Sequence, residues 1–119
     1  MQYMLLIYGE ESSWGNRSDE ERGQIMQAYG AFTEELRQSG SMVAGDALQP
    51  TQTATTIRVQ NGETLTTDGP FAETKEQLGG YYLIEADSLD EAIEWAGKVP
   101  GARHGSVEVR PVMVFEEGA

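Results

Sequence analysis

The apolar residues of this chain follow two different periods, and the switches between them predict its elements. Residues 2–8 carry the two-residue period of a strand, with Tyr3, Leu5 and Ile7 facing one way and Met4, Leu6 and Tyr8 the other. Both faces are apolar, which marks a central strand covered on both sides. Residues 9–17 read as a polar loop, and its Trp14 either covers a cleft or folds back onto the core. Ser18-Asp19-Glu20-Glu21 then has the spacing of a capping box. Ile25, Tyr29, Phe32 and Leu36 keep one face of the following helix apolar as far as Gly40, a suitable C-terminal stop. On that stripe Tyr29 reads as a core residue.

The strand period returns over residues 41–48. Residues 53–59 and 63–67 form the arms of a hairpin around Asn61-Gly62, a dipeptide that accepts positive φ at both turn positions. Asp68-Gly69-Pro70 ends the return arm, because proline has no amide proton for the ladder. Residues 80–85 are a second doubly apolar strand. Ser88-Leu89-Asp90-Glu91 repeats the helix-start spacing, and that helix stops at Pro100-Gly101. Residues 106–115 alternate again, with Pro111 pointing to an edge position or a bulge. With the hairpin set aside, the order is β-α-β-β-α-β. This is an α+β class: a ferredoxin-like antiparallel sheet with two helices on one face and a hairpin insert. The other apolar face of the sheet is too large to leave in water, so a homodimer pressing sheet against sheet is expected.

Composition narrows the function classes. At 119 residues the chain is expected to be a single domain, 1–119. The absence of cysteine excludes disulfides and thiol chemistry. Twenty acidic residues against eight scattered basic ones, a net charge of -12, argue against nucleic-acid partners and against binding an anionic membrane. No apolar run approaches the length of a membrane span, and the N-terminus lacks the features of a signal peptide, so a cytoplasmic protein is expected. The single histidine, His104, sits in a glycine-flanked loop and has no matching acid spacing for a catalytic triad or a metal site. No calcium-binding loop and no phosphate-loop or dinucleotide fingerprint is present, so no metal or cofactor is expected, with a carboxylate-only site for Mg or Ca left open.

Candidate chemistry therefore concentrates in residues 68–82, DGPFAETKEQLGGYY. Asp68 either closes its own turn or anchors a ligand in a cleft. Lys75 either belongs to a solvated charged run or binds an anionic ligand. Phe71, Tyr81 and Tyr82 are candidate aromatic walls, and only one of the adjacent tyrosines can face a given side of the strand. Gly79-Gly80 either make a turn or let a backbone approach a ligand or partner closely.

These residues carry a family likeness. Residues 3–8 (YMLLIY), 68–76 (DGPFAETKE), 79–82 (GGYY) and 107–111 (VEVRP) resemble the YCII-related proteins, and within them the DGPF-domain branch. The resemblance implies a ferredoxin-like α+β fold and a homodimer of the dimeric α/β-barrel type. Relatives occur beside or fused to extracytoplasmic-function sigma factors, which implies an indirect link to transcriptional regulation. Other members have a His-Asp pair proposed as catalytic, with the His in the first helix. Here that segment reads Met26-Gln27-Ala28-Tyr29-Gly30, without a His. Asp68 and Lys75 match the branch's own motif and carry over as candidate site residues. The expectation is a small-ligand-binding or regulatory homodimer. An enzyme using Asp68 and Lys75 in a cleft is the alternative, and a hinge role for residues 68–71 in shaping the dimer is a third reading.

Overall fold

The computed structural model describes residues 1–115. Among these the chain forms strands β1 (Gln2–Gly9), β2 (Met42–Ala47), β3 (Thr55–Gln60), β4 (Glu63–Asp68), β5 (Gln77–Glu85) and β6 (Ser106–Pro111). Three α-helices accompany them: α1 (Glu11–Gly15), α2 (Asp19–Gln38) and α3 (Leu89–Lys98). The protein is thus an α+β structure with antiparallel sheets.

Four strands make the main sheet in the order β2-β5-β1-β6, and every neighbouring pair is antiparallel. The two strands with apolar residues on both faces, β1 and β5, are the central ones, as their pattern predicts. β6 is an edge strand and ends on Pro111, where a missing amide proton costs the ladder least. It stops short of the expected residue 115, and residues 112–115 are irregular.

One face of this sheet carries the core. Tyr3, Leu5, Tyr82 and Ile84 pack against Phe32 and Leu36 of α2 and Ala92 and Ala96 of α3. The ring of Phe32 meets those of Tyr82 and Trp95 edge-on, at centroid distances of 5.1 and 6.1 Å. Both helices begin on the predicted serines. The hydroxyl of Ser18 accepts from the Glu21 amide and the Glu21 carboxylate accepts from the Ser18 amide, closing the capping box. Ser88 accepts from the Glu91 amide in the same way. On the opposite face of the sheet no helix packs among the described residues, and Met4, Leu6 and Leu83 are half-exposed.

β3 and β4 form a separate two-stranded ribbon. Its turn is the predicted Asn61-Gly62, with φ of 51° and 78°. The ribbon is tied at its root, where the Gly69 amide donates to the Ala54 carbonyl at 2.7 Å and Thr56 Oγ1 donates to the Gly69 carbonyl at 2.8 Å. Ile57, Val59 and Leu65 along it are exposed. The radius of gyration is 16.7 Å, against roughly 13–14 Å for a compact domain of this length. The ribbon is therefore an arm standing away from the body.

Candidate functional site

The apolar stripe of α2 does two different things along its length. Its C-terminal half, with Phe32 and Leu36, is buried in the core. Its N-terminal half stands off the sheet, so Ile25 and Tyr29 are only half-buried and line a cavity of about 970 Å³. Tyr29, expected in the core, packs against it half-buried and also forms a wall of the cavity. Helical periodicity tells which face points inward, but not how far away the opposing surface lies.

Ile7, Gly80 and Tyr82 of the sheet contribute the floor. Residues 48–52 and α1 contribute a second wall, and residues 101, 104 and 105 close one end. The segment expected as a loop at residues 9–17 contains the short helix α1, and Trp14 on it lines the cavity rather than returning to the core. Two hydrogen-bond sets hold α1 in place. Its Glu11 amide donates to Gln77 Oε1 at 3.0 Å. The Glu11 carboxylate accepts from the Thr51 amide at 2.9 Å and from Thr51 Oγ1 at 2.5 Å.

Two phenols define the polar character of the interior. The hydroxyl of Tyr82 is paired with Thr33 Oγ1 at 2.7 Å, which fixes it against α2. Tyr29 lies against Gly101, where an added Cβ would come within 2.5 Å of the Tyr29 hydroxyl and 2.9 Å of Ile7 Cγ2. Burial pushes the Tyr29 phenol above its ordinary value; the Gly101 backbone opposes this and the nearby Tyr82 adds to it. The Tyr29 hydroxyl can donate a hydrogen bond into the cavity. Tyr81, on the alternate side of β5, donates to Asp46 at 2.9 Å; that hydrogen bond and the charge of Asp46 raise its own phenol.

The stretch 68–82 divides between two places. Gln77, Leu78, Gly79, Gly80, Tyr81 and Tyr82 all line the cavity, whereas Asp68, Phe71 and Lys75 do not. Asp68 is exposed at the end of β4, and its carboxylate accepts no hydrogen bond among the described residues, so it closes no turn there. Gly69 next to it takes a φ of 103°, a left-handed value that ends the ribbon at its root. Phe71 is 79% exposed, and Lys75 is exposed without an ion pair among the described residues. Gly80 serves a close approach of protein backbone: an added Cβ would lie 3.0 Å from the Asp46 carbonyl on β2. His104, which the sequence marks only as a residue of a glycine-flanked loop, is exposed and sits on the cavity rim. The described residues hold no group of three or more His, Asp or Glu placed to bind a metal, and no helix long and apolar enough to cross a membrane.

The family model of the YCII-related domain matches residues 1–116. An uncharacterised protein of Rhizobium meliloti (strain 1021) is 42% identical over 99% of this chain and 97% of its own length. Among solved structures, the chain is similar to the 5-chloro-2-hydroxyhydroquinone dehydrochlorinase of Burkholderia phenoliruptrix AC1100, in complex with 2,5-dihydroxybenzoquinone. That likeness has a TM-score of 0.55 at 16% identity and covers 95% of this chain and 94% of the enzyme, which makes it a likeness of fold.

Proposed function

The chain belongs to the YCII-related domain family, and from that premise we propose that it binds a small, partly apolar molecule in the cavity between α2 and the sheet. One observation carries the reading. The N-terminal half of α2 stands off the sheet and leaves about 970 Å³ lined by Tyr29, Trp14 and the Thr33–Tyr82 pair. That volume lies at the upper end of small-molecule sites, and apolar walls with a few fixed polar groups are their usual makeup. An enzyme role is the second reading. It is favoured by the Tyr29 hydroxyl on the cavity wall, a donor for a bound oxygen, and by the fold's occurrence in an enzyme whose complex holds a quinone.

Asp68 and Lys75 take no part in this proposal; Asp68 ends β4 next to Gly69 at the root of the arm, and Lys75 lies in the loop that leads to β5. The run Asp68-Gly69-Pro70-Phe71 supports placement in the DGPF-domain branch. The strand order β2-β5-β1-β6, with the ribbon set aside, supports the ferredoxin-like reading. The half-exposed Met4, Leu6 and Leu83 support a homodimer that buries the uncovered sheet face.

The test is a thermal-shift panel of small phenols and aromatic acids, with hits measured by calorimetry. At about a hundred times its Kd, a true ligand adds about 2.7 kcal/mol to the stability. Tyr29→Phe is expected to weaken hits about fivefold or more while keeping the fold, since the ring remains. A panel without a single hit, or hits indifferent to Tyr29→Phe and to Thr33→Val, would remove the cavity as the site.

A further inference from the structure

The charged groups on the cavity wall are not equally free. Glu11 spends its carboxylate on the amide and hydroxyl of Thr51. Asp46 accepts from Tyr81. Arg37, also on the cavity wall, is paired with Glu34 at 3.4 Å in an exposed i,i+3 contact. Arg17 and His104 are different: both line the cavity, and neither side chain makes a hydrogen bond or ion pair among the described residues. Glu21 lies near enough to feel the charge of Arg17, but its carboxylate is committed to the Ser18 cap. Glu10 is the one acid of the wall left uncommitted.

Ser12, Ser13, Gln49 and Gln52 offer donors and acceptors alike, so what sets the wall apart is the pair of uncommitted nitrogen donors, the guanidinium of Arg17 and a ring N–H of His104, with the Tyr29 hydroxyl as a third donor. This is uncommon on a chain with a net charge of -12, whose eight basic residues are otherwise scattered. Aromatic walls surround these donors. Trp14 stands on the same rim as Arg17, whose amide donates to the Trp14 carbonyl at 3.2 Å. Tyr29 and Tyr82 lie further in.

Building on the cavity reading above, we propose that the ligand is an aromatic anion: its ring lies against Trp14 and Tyr29, and its carboxylate or phenolate is met by Arg17 and His104. A guanidinium offers two parallel N–H donors to a carboxylate, which a neutral hydroxyl cannot use. The surrounding negative field disfavours unspecific anions, so charge and ring have to be recognised together.

The experiment compares cinnamate with cinnamyl alcohol, which share ring and length and differ in charge, by calorimetry on the full chain at low salt. Cinnamate is expected to bind about tenfold more tightly, and Arg17→Gln to remove most of that preference while leaving the alcohol and the melting temperature unchanged. His104→Gln is expected to reduce the preference by a smaller factor. Equal affinity for the two compounds overturns the charge assignment and leaves the cavity standing as a binding site. A loss of both compounds in Arg17→Gln overturns it too, because a lost cation alone spares the alcohol. Binding of neither compound by the unaltered chain overturns it outright.

Discussion

Gly101 shows how one residue shapes the site without bearing any chemistry. It has no side chain, so the Tyr29 hydroxyl and Ile7 can close over it. Gly101→Ala puts a methyl group into that space. Tyr29 has to swing away or the turn at Pro100–Arg103 has to move. The expected cost is about 1–3 kcal/mol of stability, the usual range for overpacking, together with a loss of affinity for any ligand that uses the Tyr29 hydroxyl. Denaturant unfolding and calorimetry on the same variant check both, and full stability with unaltered binding would show that Tyr29 is not held there. The sequence presented this glycine only as half of a helix-stopping Pro-Gly pair. Its second duty depends on residues about seventy and ninety positions away, and no local pattern encodes such a meeting.

At the scale of elements, α2 combines a strong start with a loosely supported first half. The stripe from Ile25 to Leu36 marks its inward face correctly. The gap between its first half and the sheet was illegible because the same stripe serves a packed half and an unpacked half. The first turns of α2 therefore depend on their cap more than on burial, and that cap has a pH signature. The Ser18 amide and hydroxyl hold the Glu21 carboxyl below its ordinary value of 4.5. Glu21 is thus more acidic in the folded protein, and its contribution is present above pH 4.5 and disappears as the pH falls through the lowered value. Ser18→Ala is expected to lower the melting temperature at neutral pH, and the deficit is expected to narrow as Glu21 protonates. A deficit constant across this range would mean that the carboxylate plays no part. Helix α1 was hidden for another reason: five residues are too few to display a period, and it is held by Glu11–Thr51 and Glu11–Gln77 contacts distant in sequence.

At the scale of the molecule, the sheet face around Leu6 and Leu83 and the arm, with Ile57 at 60% and Val59 at 67% exposed, are apolar surfaces without a cover among the described residues. A two-stranded ribbon is marginal by itself, so both surfaces favour the proposed homodimer. Light scattering at micromolar concentration is expected to give twice the chain mass of 13.1 kDa, and Leu6→Lys with Leu83→Lys to give the single mass with helix content retained. A monomeric unaltered chain would refute the assembly. Sheet and hairpin were readable because alternation and Asn61-Gly62 are local signals. The separation of residues 68–76 from the cavity was not, since it follows from where the arm's root leaves the body.

The chain has only two tryptophans, and they stand in contrasting surroundings. Trp14 is 41% exposed on the cavity wall. Trp95 packs edge-on to Phe32, with the Lys98 ammonium 5.0 Å from its ring centre. The protein thus contains its own pair of optical probes, one at the mouth of the site and one half-buried against the core as an internal reference. Red-shifted, quencher-accessible emission belongs to the first and blue-shifted, shielded emission to the second. Occupancy and unfolding become separable in a single spectrum of the unlabelled chain.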